Sequence, residues 1–567
     1  MTFLIICIFI YIVQIQAQSK PFSILDFGAI SDIDTHSQAL ANGVAFAKAI
    51  EAANASITFD TRAVIIPFGI FSWLPASPTF DHLSNMTIFI EGTVNVSTVN
   101  VTSYYPGLVN GSSNPWSPLG FRYCSNVKFL SKSKQGVING RGNSWWWLTI
   151  LTNIARPNLL DIYMGTNIEI GDISFLNSPQ YNVFLMEQTN CYVHGVTVMV
   201  DIEDQLDVYR YIGAYDDVFD IIKDESNEEK YKRHRLDTIA GPVQRARVGR
   251  ILRSAGHIGP TNEKEVGEIM SNLMRSKEEK MSIRKKLLPS FLSLESWFNE
   301  EWRITPPFPM IYALNTDGID ISGDNLYVRN CTITNFDDTV CPKPRSQGTH
   351  NFLIEDIIIT YGIGISMGSV PPDGGGNSID GVLARRAVFY SPLKAFYIKP
   401  NPAKPYAATG AINNITYENM TVFDPLWWTV WIGPQQDNVR NDITLGNDSL
   451  VDRGDTSPRL LQNGPGNCNF TNLLPGCSFL YPLCNTSCPT DPQVTVSNIT
   501  LRDIAVYNSL LSPGVIIHNE TNPGTGFIFD NVIFYNASTW PVENGYWCLN
   551  TQGVAIGGTT PIPPCFN

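Results

Sequence analysis

Charge is what this chain has least of. Only 16% of its 567 residues are Asp, Glu, Lys or Arg, and the acids win by a formal charge of −13. Such a balance offers no net basic surface to phosphates, so nucleic acid is not an expected partner. Long apolar runs are missing too. The run Phe3–Val13 is too short to span a bilayer comfortably, and polar residues and Ala17 follow it. Residues 1–17 read as a secretory signal peptide. No later segment is long and apolar enough to cross a membrane, so the chain is expected to be exported, soluble, monomeric and free of the membrane after cleavage.

Cysteine is sparse but even once the leader is set aside. Cys7 falls in the signal and leaves ten of eleven, a number compatible with disulfides in an oxidising compartment. Cys468, Cys477, Cys484 and Cys488 crowd one loop-like stretch, and Cys548 and Cys565 sit near the end. The irregular spacing of the four does not favour zinc, and no metal or cofactor is expected. Asn-x-Ser/Thr sites such as Asn85, Asn330, Asn414, Asn419, Asn498 and Asn536 are the pattern of an exported glycoprotein.

Short runs then alternate apolar and polar residues and stop at Asn, Asp or Gly. Examples begin at Met86, Asn167, Asn325, Phe352, Ile415 and Val496. Period two means strands. Their return every few tens of residues marks a solenoid whose coils cover one another's apolar faces. Hairpin signals such as Asn-Gly do not dominate, which disfavours a β-sandwich. The expected fold is all-β, a single-stranded right-handed parallel β-helix, with residues 18–202 as its N-terminal part and 306–567 as its C-terminal part. The spacing of Leu40, Val44, Ala47 and Ile50 predicts a capping helix over 37–55 with Ser37 as N-cap.

One block breaks the pattern. Residues 203–303 hold 18 of the 39 Lys+Arg and 19 of the 52 Asp+Glu, with no cysteine. We read 203–305 as a charged, helical insertion. A mobile excursion, or foreign sequence read into the chain, are the rival readings. Its acids and bases nearly cancel, which disfavours a nucleic-acid module.

The chemistry is carried by three stretches in order: Asn315-Thr316-Asp317-Gly318, Asp337-Asp338 and Tyr397-Ile398-Lys399, with Gly362–Ser369 glycine-rich between the last two. An isolated Asp-Asp pair is a solvated turn, and an isolated lysine faces solvent. Three acids one coil apart, with a lysine downstream, instead suit hydrolysis of an acidic polysaccharide. Crowded carboxylates cannot all ionise at once, so their pKa values separate into acid and base. Parallel coils lie about 4.8 Å apart, and carboxylates offset along a groove reach the roughly 6.5–9.5 Å that an inverting pair needs.

These stretches, in this order, resemble glycoside hydrolase family 28, the polygalacturonase group of pectin-degrading enzymes. Leu25-Asp26-Phe27-Gly28-Ala29, Gly140-Arg141-Gly142-Asn143-Ser144-Trp145-Trp146, Arg156-Pro157 and Asn177-Ser178-Pro179 carry the same likeness. It covers roughly 20–200 and 310–545. The resemblance implies Asp337 as general acid, Asp317 and Asp338 holding water, and cleavage of α-1,4-galacturonosyl linkages in pectin. It also implies substrate contacts from Asn315, Lys399 and the residue at 397. The chain departs from the family twice. Ile363 stands where a histidine is usual, and Tyr397 where arginine is usual, which puts simple polygalacturonate cleavage in doubt. Another pectic backbone such as rhamnogalacturonan, or an impaired protein that binds wall polysaccharide, are the alternatives. A calcium-dependent lyase is disfavoured, because hydrolase-type motifs stand where a calcium cage and an arginine base would be wanted.

Overall fold

The computed structural model describes residues 20–56, 62–98, 105–108, 115–142, 145–146, 155–201, 313, 315–344, 348–371, 377–401, 409–435, 490–539, 542–543 and 545–566. The expected leader 1–17, the charged block 203–305 and Cys468, Cys477, Cys484 and Cys488 lie outside them.

The alternating runs become strands paired in parallel from coil to coil. Ile319–Asn335 pairs with Thr349–Tyr361, then Ser378–Tyr390, Gly410–Phe423, Val494–Tyr507 and Gly524–Tyr535 follow. A second, shorter strip runs through Val340–Pro342, Ile365–Val370, Phe396–Pro400, Val430–Ile432 and Gly514–Ile517. This is a parallel β-helix, wound from one continuous sheet.

In-register pairing turns each alternation into a column. Leu326, Phe352, Val382, Ile415 and Ile499 stack inside the coil, each no more than 2% exposed. Truncating such a side chain to Ala costs about 2–5 kcal/mol, because the coils above and below cannot collapse into the gap.

The bends explain why so many runs stop at asparagine. Asn126, Asn167, Asn190 and Asn325 have φ of 55°, 55°, 55° and 56°, a left-handed conformation that Asn tolerates better than most residues. Their side chains also form a ladder. The Nδ2 of Asn126 donates to Asn85 Oδ1 at 3.0 Å, Asn167 to Asn126 at 2.8 Å, Asn190 to Asn167 at 2.9 Å and Asn325 to Asn190 at 3.1 Å.

Val183–His194 pairs directly with Ile319–Asn335, and Thr197–Met199 with Thr332–Thr334. The coil that ends before the charged block therefore stacks on the coil that follows it.

The cap is a helix over His36–Ala55, with two corrections to the sequence reading. Thr35 is the N-cap, its hydroxyl accepting from Gln38 N–H at 3.2 Å. The buried stripe is also rotated: Ala39, Asn42, Gly43, Phe46, Ala49 and Ile50 face the core, while Leu40 and Val44 are exposed. Asn42 explains the rotation. It donates to the carbonyls of Ser72 at 2.8 Å and Ile30 at 3.1 Å, tying the helix to the first coil. Gly43 permits the contact, since a Cβ there would lie 1.9 Å from Leu74 O.

Cys548 and Cys565 form a disulfide, and Cys124, Cys191, Cys331 and Cys341 are buried.

Candidate active site

Parallel register makes the site. Ile319 pairs with Val340, and Gly318 N–H donates to Asp338 O at 2.8 Å. Asp317 and Asp338 therefore become neighbours on adjacent coils. Asp337 precedes Asp338 at the bend. One oxygen from each of the three carboxylates lies within 4.8 Å of the others. That cluster is tighter than the roughly 6.5–9.5 Å expected of an inverting pair.

Each acid is held differently. Asp337, the half-buried one, accepts from Asn315 N–H at 2.9 Å on Oδ2 and from Asp338 N–H at 2.8 Å on Oδ1. Asp338 is 1% exposed, and its Oδ2 takes two ammonium groups: Lys399 Nζ at 2.5 Å and Lys343 Nζ at 3.1 Å. Asp317 is 3% exposed, with Lys343 Nζ 3.6 Å from its Oδ2. Oδ1 of Asp317 and Oδ1 of Asp338 have no hydrogen-bond partner among the described residues. A divalent ion finds poor terms here, because Asp338 Oδ2 already carries two cations.

The electrostatics separate the acids. Burial pushes Asp338 up, but Lys399 and Lys343 outweigh it and hold the carboxyl well below the usual range. Burial, then the charge on Asp338, raises Asp337 despite its two N–H donors and Lys399. Asp317 is raised further still, by burial and by Asp337 and Asp320. The site thus holds one firmly ionised carboxylate beside two that favour a proton.

Several residues here escaped the sequence reading. Lys343 sits among three acids, 3.3 Å from Asp320 Oδ2 as well. Asp320 is fully buried and pushed up to about 6 by burial, against the pull of Lys343. Asp320 had a signal, because alternation with Ile319 and Ile321 turns it to the outer face. Asn335 Nδ2 donates to the carbonyls of Thr316, Asp337 and Asp338 at 3.1, 3.0 and 2.8 Å, clamping the two coils. Arg156 donates to Asn315 Oδ1 at 3.2 Å.

The other expected contacts are present but committed to the protein. Asn315 has φ 59° and turns its N–H onto Asp337. Lys399 is 3% exposed and bound to Asp338; Tyr397 is 6% exposed, with Lys399 Nζ 4.8 Å from its ring centre. Ile363 is buried beside Asp338, its N–H donating to Asp337 O at 2.8 Å. Trp145, Trp146, Trp427, Trp428 and Trp431 are all buried and serve packing.

Comparison with known proteins reaches the stretch in which these residues lie. Residues 309–438 match the family described as Glycosyl hydrolases family 28. The chain is 33% identical over 103 residues to a probable rhamnogalacturonase E of Aspergillus flavus, covering 18% of this chain and 20% of that protein. It is 23% identical over 198 residues to a probable polygalacturonase of Vitis vinifera, covering 33% and 38%. The chain thus spans well under half the length of these relatives. Among solved structures, an exopolygalacturonase of Thermotoga maritima superposes with a TM-score of 0.51 at 13% identity, covering 95% of this chain and 91% of that one. That likeness is one of fold.

Proposed function

We propose that this chain, whose residues 309–438 match the family described as Glycosyl hydrolases family 28, hydrolyses glycosidic bonds in the backbone of pectic polysaccharide outside the cell. The observation that carries the reading is the split among three clustered carboxylates: Asp338 fixed in its ionised form by two lysines, Asp337 half-buried and inclined to keep a proton. Asp337 donates that proton to the leaving oxygen. Oδ1 of Asp317 and Oδ1 of Asp338 accept from the attacking water, and Asp338 takes its proton.

We propose inversion despite the tight cluster. A retaining enzyme needs a carboxylate that reaches the anomeric carbon itself. Asp317 and Asp338 are too deeply buried for that, and Asp338 Oδ2 is neutralised by two ammonium groups. A water molecule bridges the remaining distance more readily than either side chain does.

The backbone favoured is one that does not present a uronate at every subsite. Ile363 and Tyr397 take away an imidazole and a guanidinium, and the remaining Lys399 is spent on Asp338. Uronate recognition beside the acids is thereby weakened relative to the polygalacturonase pattern. Rhamnogalacturonan, with neutral sugars alternating along the chain, fits better than uniform polygalacturonate. The test is to incubate purified protein with each polymer, with and without chelator, following reducing ends and the absorbance of unsaturated products. Reducing ends from rhamnogalacturonan, indifferent to chelation and without unsaturation, support the reading. Silence on every pectic polymer, with retained binding, leaves a polysaccharide-binding β-helix instead.

A further inference from the structure

The column that holds the catalytic acids does not stop with them. Ile363 N–H donates to Asp337 O, and Thr339 N–H to Gly364 O, which sets Ile363 beside Asp338. Leu393 N–H donates to Gly362 O at 2.9 Å and Ile365 N–H to Ala395 O at 3.1 Å, which sets Lys394 beside Ile363. The order up the column is Asp317, Asp338, Ile363, Lys394. Lys394 is fully buried, an unusual fate for a lysine. Its Nζ lies 3.9 Å from the ring centre of Tyr397 and 4.3 Å from that of Trp431. Tyr397 and Trp431 are themselves register partners on adjacent coils. The far neighbour of Tyr397 is Lys399 Nζ, which ends on Asp338.

We propose that Lys394 is a positioning residue: its ammonium, seated on the rings of Tyr397 and Trp431, replaces the cations missing at 363 and 397 and fixes Tyr397 so that Lys399 stays on Asp338. The inference rests on the hydrolase reading above and deepens it. A cation over aromatic faces in a water-excluded site is a strong contact. It also keeps a third positive charge near the acids, beside Lys399 and Lys343, without exposing it to substrate. Two lysines this close compete, however. Burial, then Lys399, lowers the Lys394 pKa well below that of an ordinary lysine, with Asp338 and Asp337 pulling the other way. Among the described residues, Lys399, Asp338 and Asp337 are the charged groups that act on it. Deprotonation of Lys394 releases Tyr397, so activity gains a dependence on a group titrating below the lysine range.

The variants are Lys394→Met, which keeps length and loses charge, Tyr397→Leu, and both together, on the full-length protein. On the polymer that the wild type cleaves, Lys394→Met is expected to lower kcat about tenfold, with KM little changed. The alkaline limb of its pH profile moves, and its effect is not additive with Tyr397→Leu. An unchanged kcat and pH profile, or strict additivity, overturns the proposal. A second readout needs no activity. In lysine ¹³Cε spectra followed against pH, the wild type shows one lysine titrating well below the rest, a signal absent from Lys394→Met, while the Lys399 signal shifts. A wild type with no such lysine overturns the inference even if the enzyme is active. If the low-titrating lysine is present but no pectic polymer is cleaved, it is the hydrolase reading that fails. Should Lys394→Met not fold, Tyr397→Leu in the same spectra decides: the low titration must move when the ring beneath the ammonium is removed.

Discussion

Lys399 and Asp338 are 61 residues apart in sequence, yet Nζ of one lies 2.5 Å from Oδ2 of the other, both buried. This pair fixes which acid is ionised. With Lys399→Met, only Lys343 would be left against burial, and Asp338 would rise toward protonation. We expect kcat to fall about 10²-fold or more, with the acid limb of kcat/KM moving to higher pH. Kinetics across pH on the wild type and the variant check both.

The pH profile of the wild type should be wide on both sides of the ordinary aspartate value of about 3.9. Activity needs Asp338 ionised, and its lowered pKa carries that requirement to strongly acid solution. It also needs Asp337 protonated, and its raised pKa lets activity persist above the ordinary range, failing as pH rises through the Asp337 value. An alkaline limb below about pH 4 would contradict the assignment of Asp337 as the acid.

Asp317→Asn should separate stability from activity. The folded protein raises the Asp317 pKa above its unfolded value, so the neutral form is the one the fold prefers. The penalty for ionising it is absent below the unfolded pKa and grows as pH rises toward the folded one. The amide removes that penalty. We expect Tm to rise by about 2 °C or more near neutral pH and by less near pH 4, while kcat falls about 10²–10⁴-fold. Thermal melts at the two pH values test the sign.

The asparagine ladder has its own prediction. Asn167 is left-handed, donates to Asn126 and accepts from Asn190. Asn167→Ala loses both bonds and keeps the backbone strain, at about 2–3 kcal/mol; Asn167→Gly loses the bonds alone and should cost less. Denaturant unfolding of the two variants ranks them.

The legible and illegible parts of this molecule divide along a physical line. Strand alternation and the Asn bends are local, and the columns through Leu326 and Ile415 and the ladder through Asn167 follow from them. The motifs at Asp317, Asp337, Asp338 and Lys399 were also visible. What joins a site across coils was not. Lys343, Asn335 and Lys394 act on the acids through register, and no local pattern states which residue of one coil will face which residue of the next. The helix shows the same limit. Its apolar spacing marked Leu40 and Val44 as core, but Asn42 and Gly43 are what the first coil accepts.

The most direct test is ¹H NMR of the newly formed reducing end during hydrolysis of rhamnogalacturonan, run in parallel with wild type and Asp337→Asn. The account predicts that wild type first releases the anomer opposite to that of the cleaved linkage, which later mutarotates, and that Asp337→Asn releases about 10²–10⁴-fold less. First appearance of the same anomer, or undiminished release by Asp337→Asn, would contradict it.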